Sequence, residues 1–165
     1  MKKIVVVLFI LVVVLVGVNE KKKLLIPDDS IRFRVIANSN SEYDQNNKLK
    51  IKDEVQNEIY KLINGAKSTN EVRNIINNNL DVIDKIVKKY NVSYDINYGD
   101  NYFPEKEYKN ITYDEGEYES LVITLGDGIG DNWWCVLFPP LCLLDDNLDN
   151  LEYEFYATKL INNFK

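Results

Sequence analysis

The period of apolar and polar positions changes several times along the chain. Ile4 to Val18 is an unbroken apolar run between Met1-Lys2-Lys3 and Asn19-Glu20-Lys21-Lys22-Lys23. As helix, its 15 residues would reach roughly 22 Å, short of a hydrocarbon core of ~30 Å. That length and the basic start predict a secretory signal, either cut near Gly17 to Asn19 or kept as a short uncleaved anchor. The competing reading is a buried core helix. Lysines at both ends and the lack of one-sided amphipathicity weigh against it. Residues 1–23 are therefore read as the export segment and 24–30, punctuated by Pro27 and Asp28-Asp29, as a linker. Residues 31–165 are read as one domain.

Within that domain Ile31, Phe33 and Val35 alternate with Arg32 and Arg34, which predicts a strand. A polar loop, Asn38-Ser39-Asn40-Ser41, follows, and Ser41 with Asp44 has helix N-cap spacing. Ile51, Val55, Ile59, Leu62 and Ile63 then recur at helical spacing up to Gly65. Ser68 and Glu71 form a capping-box pair ahead of a second helical pattern from Val72 to Tyr90. Asn77-Asn78-Asn79 marks either a break in it or an exposed face. From Val92 the period becomes two: Val92, Tyr94, Ile96 and Tyr98 share a strand face that Gly99-Asp100 should end. A weaker strand near Tyr108 to Tyr113 and apolar strands at Leu121 to Leu125 and Trp133 to Phe138 follow, the last stopped by Pro139-Pro140. Leu151 to Phe164 reads as mostly helix. The order β-α-α-β-β-β-β-α predicts an α+β fold of two layers, with helices packed on one face of a mostly antiparallel sheet.

Composition narrows the function classes. The 165 residues include no histidine and two cysteines. A Ser-His-Asp triad, a Cys-His dyad, a His-ligated metal, a four-thiolate zinc site and an iron–sulfur cluster held by this chain alone are all excluded. Residues 24–89 carry 11 positive and 10 negative side chains, whereas residues 90–165 carry 4 and 15. This acidic second half argues against nucleic acid and against adsorption to anionic lipid, so membrane contact is expected only through the N-terminal segment. No cofactor or metal is expected.

Three segments invite chemical readings. Gly126-Asp127-Gly128-Ile129-Gly130-Asp131 follows a strand, as a phosphate loop does. Such a loop must open a helix, however, and strand-like Trp133-Trp134-Cys135-Val136 comes next. The two aspartates would repel phosphate and do not match a calcium-loop pattern, so a flexible hairpin turn is expected. Glu117 and Glu119 share a strand face, and a carboxylate pair can hydrolyse a sugar linkage, although solvent is the ordinary destination of such a face. Asn132 to Cys142 gathers both tryptophans, both cysteines and two prolines. Trp133 and Trp134 must point to opposite faces of a strand. Cys135 and Cys142 are either a disulfide, which requires Pro139-Pro140 to turn the chain, or two buried thiols.

Ile31 to Ser39, Asp44-Gln45, Lys48-Leu49-Lys50 and Asp53 resemble the opening signature of the stage II sporulation protein R family. Phe103-Pro104, Gly116 to Glu119, Gly126 and Gly128 resemble its middle, and Asn132 to Cys142 its C-terminal signature. Asn40 stands where that pattern leads one to expect aspartate, and Lys52 where it leads one to expect arginine. The resemblance implies a non-enzymatic signal of endospore formation, exported from the forespore into the space between the two cell membranes. There it would activate a membrane-embedded aspartic protease of the mother cell, which removes the pro-sequence of sigma-E. On that view the candidate partner contacts are Trp133, Trp134, Phe138, Pro139 and Pro140, with Arg32 and Arg34 as second choices. A carboxylate-based envelope hydrolase acting through Glu117 and Glu119 is the alternative.

Overall fold

A computed structural model describes residues 29–108 and 111–140; the apolar N-terminal run, Cys142 and the segment Leu151 to Phe164 lie outside them. Among the described residues no helix is long and apolar enough to cross a membrane.

Strand β1 (Ile31–Ile36) is flanked on both sides. It pairs in parallel with β5 (Gly116–Leu125) and antiparallel with β6 (Asn132–Phe138). Strand β2 (Tyr94–Phe103) adds antiparallel to the far side of β5, giving the order β2-β5-β1-β6. The alternation in β1 explains its central place. Ile31, Phe33 and Val35 are fully buried on one face, where Leu121, Ile123 and Leu125 of β5 join them. Arg32 and Arg34 face the other way, in register with Ser120 and Val122.

The first face is covered by helices. Helix α1 (Glu42–Leu62) starts at Ser41, whose hydroxyl accepts the Asp44 N–H at 3.2 Å, and buries Ile51, Val55 and Ile59. Helix α2 (Thr69–Asn78) is capped by Ser68, which accepts from the Glu71 N–H. The Glu71 carboxylate accepts the N–H of Lys67, one residue before the cap, so two otherwise orphan donors are satisfied. Helix α3 (Leu80–Lys88) contributes Ile83, Ile86 and Val87 to the same core. The asparagine run is thus a true break: Asn79 ends α2 and opens α3, and its side-chain amide donates to the Ile75 carbonyl at 2.7 Å. A short amide of this kind competes with the helix for backbone groups.

The remaining elements differ from expectation in three ways. The Gly99-Asp100 pair does not end β2, because Gly99 and Asp100 stay in register with Ser120 and Glu119. The single weak strand expected over Tyr108 to Tyr113 is a pair of short strands, β3 (Lys106–Tyr108) and β4 (Ile111–Tyr113), which pair antiparallel within a separate compact unit, Pro104–Glu115. Residues 126–131 are not a hairpin turn, since β5 and β6 do not pair; β1 lies between them, and the connection crosses the end of β1. The α+β class and the mostly antiparallel sheet hold, with β1·β5 as the parallel exception.

Phe33 sits fully buried at the centre of the sheet–helix layer. Phe33→Ala is expected to lower unfolding free energy by about 3–5 kcal/mol, read from urea denaturation at constant m-value.

Candidate functional site

Two loops meet beyond the C-terminal end of β1. One, residues 37–41, leads from β1 into α1; the other, residues 126–131, joins β5 to β6. Backbone geometry locks them together. The N–H groups of Ile129 and Gly130 donate to the carbonyls of Asn38 and Ala37 at 3.3 and 2.9 Å. The Asn38 side-chain oxygen accepts the Asp127 N–H at 3.0 Å, and the Asn40 side-chain oxygen accepts that of Asp131 at 2.6 Å. Gly126 and Gly128 donate to Ser93 and Leu125 carbonyls at 2.7 and 3.1 Å. Every N–H from 126 to 131 therefore has an internal acceptor, so the segment is clamped rather than flexible and has no free donors for an anion.

The side chains of the first loop are held in turn. The Asn38 amide and the Ser39 hydroxyl both donate to one oxygen of Asp44, at 3.0 and 2.5 Å. These bonds, that from Ser39 foremost, hold the Asp44 carboxyl below its ordinary range. Gln45 donates to the Ser39 carbonyl at 2.9 Å, and Lys48 bridges Gln45 and the Asp131 carbonyl. Asn40 serves as an acceptor, a role that the aspartate expected there would also fill. Two glycines make the close approach possible. A Cβ on Gly126, whose φ is +54°, would collide with the Asn38 side chain, and one on Gly130 would strike the Ser39 carbonyl.

On the face of the sheet away from the helices, Arg32 lies among aromatic rings. Its guanidinium carbon is 3.3 Å from the Tyr118 ring centroid, 5.2 Å from that of Phe103 and 5.1 Å from that of Trp134. Arg34 stands 5.4 Å over Phe103 and donates to the Tyr102 carbonyl at 3.3 Å. Burial pulls the Arg34 pKa below its ordinary value. Trp133 points to the opposite side, edge-on to Phe33 with 5.7 Å between centroids, and Lys52 sits 4.8 Å over its ring. The tryptophans thus divide between the two faces, as strand alternation requires.

Exposure differs among the expected contact residues. Arg32 is 3% exposed, and Phe138 and Pro139, joined by a cis peptide, are also buried. Trp133, Trp134, Arg34 and Pro140 are half-buried. Cys135 is buried and disulfide-bonded; Cys142 lies outside the described residues. Glu119 is engaged in structure: Arg73 donates to both of its oxygens, at 2.7 and 2.6 Å, and the Tyr98 hydroxyl donates at 2.7 Å. Burial alone would raise its pKa, but these hydrogen bonds outweigh it and hold the carboxyl below the usual range. A depressed pKa is the wrong direction for a general acid. Among the described residues no group of three or more His, Cys, Asp or Glu could hold a metal ion.

The spacing of residues predicted neither the clamp nor the aromatic surround of Arg32. Tyr118 and Phe103 could have been found only by pairing β2, β5 and β1 in register. The alternate glycines at 126, 128 and 130 were the one local sign of close backbone approach.

The geometry defines a small α+β domain whose densest polar network joins loops. The sequence comparisons give the family. Residues 27–148 match the family model described as stage II sporulation protein R, and the chain belongs to that family. The protein named "Stage II sporulation protein R" in Bacillus subtilis (strain 168) is 44% identical over 133 residues, covering 77% of this chain and 59% of the relative. The match thus spans less than two thirds of that relative's length. No solved structure gives a significant match. The family name places the chain among sporulation proteins.

Asn38→Ala removes the acceptor of the Asp127 N–H while leaving the backbone bonds of Ile129 and Gly130. It is expected to speed hydrogen exchange at Asp127 and to cost about 0.5–1.5 kcal/mol, read by exchange mass spectrometry and urea denaturation. The Arg73–Glu119 pair sets a pH dependence. Because folding lowers the Glu119 pKa, its stabilisation is complete above the unfolded value of about 4.3 and is lost as pH falls through the lower folded value. The stability gap between the wild type and Glu119→Gln should be full at about pH 6 and narrow progressively as pH falls below about 4.3 in a pH series of melting curves.

Proposed function

We propose that this chain is an exported sporulation signal which activates a membrane-embedded aspartic protease of the mother cell, so that pro-sigma-E is processed. The observation that carries this reading is the family match over residues 27–148. The site geometry agrees with it, because the residues of the opening signature, Asn38, Ser39, Asp44, Gln45 and Lys48, hold loops in place. The lysine-flanked apolar run of residues 4–18 supports export from the forespore into the intermembrane space, with the protein either released or held by that segment.

Such a signal works by contact. It binds the active state of the protease more tightly than the inactive state, and that difference in affinity moves the equilibrium. Trp134, Trp133, Arg34 and Pro140 are the candidate contacts from the C-terminal signature and β1 that keep some exposure. Arg32 lies against Trp134, and Phe138 and Pro139 are buried at the end of β6. A disulfide between Cys135 and Cys142 belongs to the same proposal and would tie the chain beyond β6 back to the middle of that strand.

Co-expression of the full chain with the protease and pro-sigma-E should yield mature sigma-E on an immunoblot, and omission of the chain should abolish it. Processing that is equal with and without the chain would refute the proposal. Trp134→Ala should reduce processing while the protein remains folded by circular dichroism.

A further inference from the structure

The two most exposed large apolar side chains among the described residues are Ile129 at 77% and Tyr43 at 69%. One lies on the clamped loop pair and the other directly after it. Ile129 belongs to the segment 126–131, and Tyr43 lies in the first turn of α1, just after the loop that holds that segment. An isoleucine left in water forgoes the hydrophobic stabilisation that burial of such a side chain would provide. Here it is also held still, because its own N–H and those of its neighbours on either side are donated to fixed carbonyls. Neither its backbone nor its flanking loop has much freedom left to lose on binding. Rigid apolar anchors of this kind are what binding hot spots are made of.

The surroundings indicate what kind of surface fits. Asp127 and Asp131 stand symmetrically two residues to either side of Ile129, both exposed. Neither carboxylate forms a hydrogen bond or ion pair with another described residue; only their backbone N–H groups and the Asp131 carbonyl are used. The flanking charge disfavours an anionic lipid surface, which would repel both aspartates. It favours a protein socket that is apolar at its base and lined with Lys or Arg at its rim.

We infer that the 126–131 loop is the docking knob of this protein: Ile129 enters an apolar, basic-rimmed socket on the partner, with Tyr43 contacting the surface beside it. The inference rests on the proposed signalling reading and names the part of the molecule that reads its partner. It adds a contact at the C-terminal end of β1 to those expected from the tryptophan strand.

The test uses the full chain in the co-expression assay, with wild type, Ile129→Asp, Ile129→Leu and Asp127→Lys combined with Asp131→Lys. Ile129→Asp should lower processing by at least about tenfold, Ile129→Leu should keep it, and the charge reversal should also lower it. The side chain is exposed, so the melting temperature and secreted amount should match the wild type in all three. Wild-type activity accompanied by equal activity of Ile129→Asp would overturn the knob and leave the signalling reading standing. An inactive wild type would overturn the signalling reading and the knob with it. Sedimentation with phosphatidylglycerol–phosphatidylethanolamine vesicles provides the other arm. Binding that Ile129→Asp weakens relative to wild type would assign the loop to lipid and overturn the inference.

Discussion

The enclosure of β1 between a parallel and an antiparallel neighbour is the constraint from which the other features follow. With β5 on one side and β6 on the other, the chain must pass over the end of β1 to get from the first to the second. That crossing places residues 126–131 against the loop that leaves β1, and both backbones bring unpaired polar groups to the junction. These groups demand partners, and the two loops supply them to one another. Asn38 and Asn40 meet that demand with side-chain oxygens, and glycines at 126 and 130 allow the two backbones to come close enough.

The same strand separates two kinds of surface. Its apolar side chains build the helix-covered core, and its arginines build an aromatic–cationic layer on the reverse. Arg32 illustrates why the guanidinium suits that layer. It is planar and weakly hydrated, so it stacks on Tyr118 with little exposure while its neighbours Phe103 and Trp134 present their own rings to it. Lysine there would keep the charge and lose the stacking. Lys52 over Trp133, by contrast, shows a single cation on a single ring, a role that arginine would fill equally well.

The elements governed by local periodicity were legible in the sequence. The 31–36 strand, the caps at Ser41 and Ser68 and the helical spacing of Ile51, Val55 and Ile59 all follow from near-neighbour patterns, and the opposed tryptophans follow from strand alternation. The loop at 126–131 was misread as a hairpin, because consecutive strands usually lie side by side and nothing near residue 126 announces that β1 intervenes. The break at Asn79 stayed open because a run of asparagines fits an exposed helix face as well as a junction. In the site, the contact of Asn38 with Asp127 spans 89 positions, beyond the reach of any spacing rule. Ile129 between two glycines looked like filler in a turn, and only its exposure on a fixed backbone marks it out.

The strand order also governs when the molecule can assemble. β1 is made early, yet its partners are residues 120–124 and 132–138, the last of the described sheet to be synthesised. Closing such distant pairings requires much of the chain to be gathered before any reward arrives, which slows folding in proteins dominated by remote contacts. The helices form from neighbouring residues, but their apolar stripes have no sheet to rest on until β5 and β6 are in place. A chain made N-terminus first therefore stays pliable until residue 138 has been added, and tertiary structure arises only after that point.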